Sequence, residues 1–322
     1  MILKTPDRHS FGGFIFTKGQ FMKISVIIPA YNCAKYIRQT LDCVRTQNFP
    51  QNDIETIIFL DGCTDDTPGE VMRYSADFPE MNLRAIKADE NQGISNARNN
   101  AIAIARGQYL HFLDADDIIN TEFYKNLYNA ARRTDADVAV ASYINERWPD
   151  NSIVFSHEMV LVCPQDKIDH TCVDRNGYSW RYLIRRDFWN RKKYTFPTDM
   201  LYCEDILVMT KMVCHSNRIV LVPGAQYTYK FRPNSMLTAR ETQKLQNAYC
   251  RRARIETYMF LCQYDIRPTC DIVHRTRATL FGLFPLYSWR ANSDHSYQTC
   301  YLFGLVPVIK LRYKMQKKKW KI

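Results

Sequence analysis

The 322-residue sequence contains no run of about 18 apolar residues, the length that a helix needs to cross a bilayer. The best candidate, residues 301–309, is about half that long and contains Gly304 and Pro307. Residues 1–20 also lack an apolar stretch of the length found in secretory signal peptides. We therefore expect a cytoplasmic protein without a membrane-spanning segment.

The sequence also lacks the cysteine pattern of a disulfide scaffold or a zinc site. Its 11 cysteines are scattered singly, none of them in a CxxC pair, and their number is odd. Secreted disulfide-rich domains and zinc sites have cysteines at paired, regular spacings. The pattern favours reduced thiols in a cytosolic protein.

Acidic residues are absent from residues 310–322, where seven lysines and arginines occur. The net charge of the chain is +11, and removing these seven charges leaves +4 for the rest. A nucleic-acid-binding domain would carry its excess basic charge on the folded body. Because most of the excess lies in this basic tail, we expect no nucleic acid as a partner.

Residues 22–142 alternate between short apolar segments and helical patterns. Ile37, Leu41 and Val44, for example, recur at a spacing that places them on one face of a helix. The predicted strands cover residues 24–28, 54–60, 83–88, 108–113 and 137–142, and the predicted helices cover residues 34–46, 67–76, 94–106 and 122–133. This alternation is typical of βαβ units, so we predict an α/β fold with a mostly parallel sheet flanked by helices.

The alternation ends near residue 143. Mixed strands and loops continue to residue 200, followed by a helix at 204–215, a strand at 218–222 and long helices at 239–263 and 268–290. This pattern predicts an N-terminal extension outside the fold at 1–21, a domain with halves at 22–142 and 143–235, and a C-terminal helical extension with the basic tail at 236–322.

Polar residues follow three of the predicted strands, at the sheet edge where parallel α/β folds bind ligands. The first strand is followed by residues 29–32, PAYN, and the absence of glycine there excludes a GxGxxG dinucleotide-binding loop. Asp61 follows the second strand, and residues 114–117, DADD, follow the fourth. We expect these side chains to meet at one rim.

Asp114 and Asp116 flank a single residue directly after a strand, so both carboxylates can contact one ligand. Carboxylate oxygens suit Mg²⁺ or Mn²⁺, and two or fewer of them leave coordination positions for water and substrate phosphates. The pattern is typical of a metal–diphosphate complex. The alternative is structural, because Asp116 or Asp117 could cap the helix that begins near Thr121.

Asp61 and Tyr31 each have two interpretations. The Asp61 carboxylate could accept a hydrogen bond from the N3–H of uracil, or it could belong to an Asp-Gly turn with no ligand. Tyr31 could stack on a nucleotide base or pack on the rim. Thr64 or Asp65 is expected to cap the next helix.

Five motifs together give the sequence a family resemblance. They are SVIIPAYN at 25–32, DGCTD at 61–65, NQGISNARN at 91–99, FLDADD at 112–117 and ED at 204–205. In this order and at these strand ends, they resemble the family 2 glycosyltransferases, which have the GT-A fold, a Rossmann-like nucleotide-diphospho-sugar transferase fold. The resemblance covers about residues 23–235.

The resemblance implies an inverting, metal-dependent hexosyltransferase. It would transfer a sugar from a nucleotide-diphosphate donor, in our interpretation a UDP-sugar, to a hydroxyl of a saccharide or lipid-linked acceptor in cell-surface polysaccharide synthesis. Residues 22–142 would be the nucleotide-sugar half and residues 143–235 the acceptor half. The alternative is a non-catalytic carbohydrate- or nucleotide-binding module on a decayed transferase fold.

The resemblance also implies roles for individual residues. Asp205 would be the catalytic base, although an acid in the first turn of a helix also favours the helix dipole. Asp116 would bind the cofactor, Mn²⁺ or Mg²⁺. The nucleotide-sugar would contact Pro29, Ala30, Tyr31, Asn32, Asp61, Asn91, Arg98, Asp114, Ala115, Glu204 and the basic candidate Arg232.

Two segments could contact the acceptor or a membrane. Tyr178, Trp180, Tyr182 and Trp189 could offer stacking faces to a sugar, or they could simply cover the sheet. The apolar residues 301–309 and the basic tail could together attach the protein to an anionic, cytoplasmic membrane surface, since an apolar patch and a polybasic cluster supply the two signals that stable attachment needs. The alternative is a solvated tail beside a core-packed segment.

Overall fold

Short runs of β-branched and other apolar residues form the centre of the protein. The structure is a computed structural model that describes residues 2–4, 22–231, 243–269, 276–280, 284–291, 297–302 and 306–312. Within these residues the strands of the main sheet are β1 (Ile2–Lys4), β2 (Ile24–Ala30), β3 (Ile54–Asp61), β4 (Leu83–Ala88), β5 (Tyr109–Phe112), β6 (Ile118–Ile119), β7 (Val138–Asn145), β8 (Met159–Leu161), β9 (Tyr182–Arg185) and β10 (Ile219–Tyr229).

Eight α-helices lie between or after these strands in the described part of the chain. They are α1 (Ile37–Arg45), α2 (Thr67–Asp77), α3 (Ile94–Ile104), α4 (Phe123–Thr134), α5 (Pro164–Thr171), α6 (Arg186–Arg191), α7 (Glu204–His215) and α8 (Gln243–Gln263). Short 3₁₀ helices occupy Gln51–Asp53, Pro149–Asn151 and Ser179–Arg181. The predicted α/β architecture is confirmed, with element ends that differ from the predicted ones by a few residues.

The main sheet is mixed, and strands β1 to β5 form one parallel part of it. Its strand order is β1-β4-β3-β2-β5-β9-β7-β10-β6, and β8 pairs with β10. Strands β1 to β5 pair in parallel, whereas β9 is antiparallel to both β5 and β7. As a result, the carboxyl ends of β3, β2 and β5 lie side by side at one edge.

Helices cover both faces of the sheet, which is why its central strands are apolar throughout. Ile24, Val26 and Ile28 of β2 pack in the same cluster as residues of α1, α2 and α4. Ile27, which points to the other face, packs with residues of α3, α5, α6, α7 and α8. The alternation of side chains along β2 therefore gives each helical layer its own core.

The C-terminal region differs from the predicted pair of helices. The first predicted helix is α8, but the prediction of a helix at 268–290 is wrong. The described residues there form an antiparallel sheet of β11 (Thr276–Leu280), β12 (Phe284–Ala291), β13 (Tyr297–Leu302) and β14 (Val306–Arg312), in that order. The segment is rich in threonine and aromatic residues, whose preference for strands outweighed the helical spacing of its apolar residues.

The two ends of the chain also differ from expectation. Ile2–Lys4 pairs in parallel with β4, so this part of the predicted N-terminal extension is an edge strand of the main sheet, while residues 5–21 lie outside the described part. The apolar residues 301–309 fall largely within β13 and β14, and residues 313–322 lie outside the described part. Among the described residues, none of the helices is both long and apolar enough to span a membrane.

One cysteine pair corrects the expectation of reduced thiols. Cys203 and Cys250 form a disulfide between the start of α7 and the middle of α8. The two residues are 47 positions apart, and α7 and α8 pack together to bring them within reach. Sequence spacing carries no sign of this pairing because it depends on helix packing.

Candidate active site

The rim predicted from the strand ends is present in the structure. Because β3, β2 and β5 are adjacent and parallel, Asp61, Tyr31 and Asp114 follow neighbouring strands at the same edge. The Tyr31 side chain is 45% exposed, which leaves its ring available to a planar ligand. Ala30 and Ala115 are buried and contribute mainly backbone to the rim.

Asp61 is buried and holds the turn that precedes α3. Its two carboxylate oxygens accept hydrogen bonds from the backbone N–H groups of Gln92 (2.8 Å) and Gly93 (2.9 Å). Burial raises the pKa of Asp61, while these two hydrogen bonds oppose that rise. The turn also packs closely on Gly62, since a Cβ there would lie 2.2 Å from the backbone nitrogen of Asn91. Asp61 therefore positions the exposed Asn91 beside the rim.

Asn32 holds a second turn at the rim. Its side-chain oxygen accepts hydrogen bonds from the backbone N–H groups of Thr64 (2.8 Å) and Asp65 (3.2 Å). Asp65 in turn accepts a hydrogen bond from the backbone N–H of Thr67, the first residue of α2. The N-cap residue of α2 is Asp66, so the expected cap at Thr64 or Asp65 is wrong. Asp65 and the Asn32 amide are instead engaged in one local network of hydrogen bonds.

The four residues of the DADD segment have different environments. Asp116 is half-buried at the rim. Asp117 is buried, accepts hydrogen bonds from the Tyr227 hydroxyl and the Lys230 backbone N–H (both 2.7 Å), and has a pKa that burial raises well above its usual range. The Tyr227 hydroxyl also lies 3.3 Å from the backbone nitrogen of Asp114. Asp117 therefore ties this segment to β10 and does not cap α4.

Arg98 joins the DADD segment to the Glu204–Asp205 pair. Its Nη1 donates to Glu204 Oε1 at 2.5 Å, and its Nη2 lies 3.4 Å from Asp114 Oδ1. The Arg98 side chain is only 3% exposed and that of Glu204 is 8% exposed. The guanidinium also lies 5.1 Å from the centre of the Phe196 ring. Arg98 thus connects α3, the end of β5 and the start of α7, a structural position that the sequence motif did not reveal.

Asp205 is half-buried in the first turn of α7 beside this network. Its pKa is raised to about 8, mainly by burial and also by the Glu204 and Asp114 carboxylates, while Arg98 opposes the rise. A carboxyl group with a raised pKa beside a cleft is suited to proton transfer near neutral pH. Asp205 therefore interacts with Glu204, Asp114 and Arg98 in addition to the dipole of α7.

The aromatic residues considered for sugar stacking form part of the core. Trp180, Tyr182 and Trp189 are buried, and the Trp180 ring stacks on Tyr178 and Tyr227 with ring centres 4.8 and 4.1 Å away. The interpretation that these residues cover the sheet is therefore confirmed. Sequence reasoning missed Tyr227, whose hydroxyl orients the DADD segment, because no local pattern distinguishes it from other tyrosines of a strand.

The site lacks an all-protein metal cage. Among the described residues, no cluster of three or more His, Cys, Asp or Glu side chains could hold a metal ion. Arg98 pairs with Asp114, the buried Asp117 bonds to Tyr227 and Lys230, and Asp116 lies half-buried at the rim. A single carboxylate at the rim fits a cation that is bound together with a diphosphate, because water and phosphate oxygens fill the other coordination positions of the cation. Arg232 lies outside the described residues.

Known proteins are similar to this chain in both sequence and fold. EpsJ, an uncharacterized glycosyltransferase of Bacillus subtilis (strain 168), is 28% identical over 220 residues, which cover 66% of this chain and 62% of EpsJ. The poly(ribitol-phosphate) beta-N-acetylglucosaminyltransferase TarS of Staphylococcus aureus (strain Mu50) is 28% identical over 231 residues, covering 71% of this chain and 38% of TarS. The chain thus spans less than two thirds of either relative.

Solved structures show the same architecture. The crystal structure of S. aureus TarS residues 1–349 has a TM-score of 0.58 and 26% identity, with 65% of this chain and 60% of that chain covered. Its complex with UDP-GlcNAc has a TM-score of 0.59 at 24% identity, covering 73% and 66%. A mannosyltransferase of Pyrobaculum calidifontis in complex with GDP-Man and Mn²⁺ has a TM-score of 0.54 at 18% identity, covering 76% and 65%. Both complexes support the GT-A fold.

The family model of glycosyl transferase family 2 matches residues 25–207, which include the rim, Arg98 and the Glu204–Asp205 pair. This match covers more than half of the sequence, and the chain therefore belongs to glycosyl transferase family 2.

Proposed function

We propose that the protein transfers a hexosyl unit from a UDP-sugar to a hydroxyl of a saccharide or lipid-linked acceptor, with inversion, in cell-surface polysaccharide synthesis. The observation that carries the proposal is the Arg98 bridge, which places a carboxylate-rich rim and a candidate base in one site. The family membership and the UDP-GlcNAc complex of TarS support a nucleotide-sugar donor.

Donor binding is assigned to the rim. Tyr31 would stack on the base, Asn91 would contact the nucleotide at the turn that Asp61 holds, and Asp114 and Glu204 would contact the sugar. The last two carboxylates are already oriented by Arg98, so they need little rearrangement on binding. Pro29, Ala30, Asn32 and Ala115 complete the nucleotide side of the site.

Asp116 would hold Mn²⁺ or Mg²⁺, because its carboxylate lies half-buried at the rim that follows β5. When bound, such an ion would neutralise charge that develops on the diphosphate as it departs. Arg232 is a candidate for adding positive charge at the same place.

Asp205 would act as the general base. As the acceptor oxygen bonds to the anomeric carbon, Asp205 takes its proton and the bond from that carbon to the diphosphate oxygen breaks. Glu204 is held by Arg98, which leaves it poorly placed to form a covalent sugar intermediate. A single displacement follows, and the anomeric configuration inverts.

We also propose that the basic tail binds the anionic, cytoplasmic face of a membrane. Residues 301–309 fall largely within strands, so the attraction would come from the basic residues of the tail. Each basic residue near an anionic membrane surface contributes about 1 kcal/mol of binding free energy. Such attachment would bring the site to a lipid-linked acceptor.

Replacing Asp205 with Asn is expected to lower kcat by about 10²–10⁴-fold, because the acceptor proton loses its base. The donor KM should change little. Steady-state kinetics of donor turnover would measure both. Asp187→Asn is the matched control, since Asp187 is also an acid in the first turn of a helix, α6. Equal rates for the two variants would contradict the catalytic role, and donor binding without turnover by the unmodified protein would favour the non-catalytic module.

The pH dependence of kcat/KM should report the Asp205 carboxyl. Since the base must be ionised, the rate should rise with pH through about 8. Glu204→Gln removes a negative charge that raises the pKa of Asp205, so the rising limb should shift to lower pH. Glu158→Gln, at an exposed ion pair with Arg133, should leave the limb in place. An unchanged limb in Glu204→Gln would contradict the assignment.

Arg98→Met should destabilise the protein by about 3–5 kcal/mol, because it leaves the Glu204 carboxylate buried without its partner. Urea unfolding would measure the change in the free energy of unfolding. Arg73→Met, which removes ion pairs of a half-exposed arginine with Asp66 and Glu70, should have a much smaller effect. If the two variants lost similar stability, Arg98 would not be the connection described here.

Deleting residues 313–322 removes five basic residues and leaves β14 intact. Flotation with phosphatidylglycerol-containing vesicles should show at least about tenfold weaker binding at low salt, because the electrostatic attraction is lost. Replacing the same five residues with glutamine should have the same effect. Unchanged binding by both variants would rule out the tail as the membrane-binding segment.

A further inference from the structure

A cleft of about 130 Å³ lies between the start of α3 and the loop before α7. Residues 91–95 form one wall, and Thr198 with residues 200–202 forms the other. The cleft lies next to the candidate active site, because Asn91 stands on the donor side and the second wall continues directly into Glu204 and Asp205.

The two walls are connected below the cleft. The Asn99 side chain of α3 donates to the Phe196 carbonyl at 2.8 Å and accepts from the Phe196 backbone N–H at 2.9 Å. The preceding residue of α3, Arg98, binds Glu204. The spacing between α3 and the loop is therefore fixed at two points, so the cleft is built into the folded domain.

The lining combines hydrogen-bonding groups with an apolar surface. None of the described lining residues is a lysine, arginine, histidine or acid, whereas Asn91, Gln92 and Thr198 supply amide and hydroxyl groups. The Ser95 hydroxyl is buried, lines the cleft and has no hydrogen-bond partner among the described residues. Leu201 is 49% exposed on the opposite wall.

This lining matches the chemistry of a neutral sugar. A pyranose offers hydroxyls on its edges and a C–H face to an apolar side chain, whereas a phosphodiester needs cationic partners such as arginine or lysine. Ser95 adds a small polar side chain to the wall formed by residues 91–95. We propose that the cleft binds the acceptor as an uncharged sugar ring, a specificity that depends on the glycosyltransferase function proposed above.

Helix α8 holds the second wall of the cleft, Thr198 with residues 200–202, in place. Arg252 pairs with Asp199 at 2.8 Å, and the disulfide joins Cys203 at the end of the loop to Cys250. The rings of Tyr202 and Tyr249 are also 6.2 Å apart, centre to centre. Helix α8 therefore supports this wall of the cleft from outside the residues that match the family model.

The test compares acceptor and donor kinetics with the full chain. Donors come from a panel of UDP-, GDP- and dTDP-sugars, and acceptors are neutral p-nitrophenyl hexosides and ribitol-phosphate oligomers. Leu201→Ala should raise the neutral-acceptor KM by about tenfold, with a much smaller change in the donor KM. Leu245→Ala, at a leucine of similar exposure (46%) on α8, is the matched control. Ser95→Ala should raise the same KM by several-fold.

The possible outcomes separate the two proposals. An increase in donor KM with an unchanged acceptor KM in Leu201→Ala would overturn the acceptor assignment and place the cleft in the donor site. Transfer only to the phosphodiester oligomers would overturn the proposal that the acceptor is an uncharged sugar. A complete lack of turnover of every donor by the unmodified chain would overturn the proposed function, and the acceptor assignment with it.

Discussion

The buried guanidinium of Arg98 is the interaction on which the candidate site depends. It connects α3 with the end of β5 through Asp114 and with the start of α7 through Glu204. Removing these groups from water is costly, and only close mutual pairing offsets that cost. The bridge therefore favours a single arrangement of these three elements, although Glu204 lies 106 residues from Arg98 in the sequence. It also brings the strand-end rim beside the candidate base.

The same network separates the acids of the site by role. Glu204 is paired with Arg98, and Asp117 is bonded to Tyr227 and the Lys230 backbone. Asp205 has a raised pKa, and Arg98, which is paired with Glu204 and Asp114, opposes that rise only in part. This division supports one general base and a single displacement, because the neighbouring carboxylates are held by other partners.

Much of the rim could be predicted because it follows from local pattern. Alternating strands and helices placed Asp61 and Asp114 at the ends of β3 and β5, and the parallel pairing of both strands with β2 brings these ends to one edge of the sheet. The partners of Arg98 could not be predicted, since Glu204 lies 106 residues away and both side chains depend on packing. The Cys203–Cys250 bond was missed for the same reason, because the packing of α7 on α8 decides it.

The loop before α7, held by helix α8, forms the wall of the cleft opposite α3. The claim that unites these elements is that Asp205 deprotonates an acceptor that attacks the donor sugar directly. The anomeric configuration of the product, measured by ¹H NMR after transfer from an α-linked UDP-sugar, tests it most directly. The account predicts a β-linked product, and an α-linked product would contradict it.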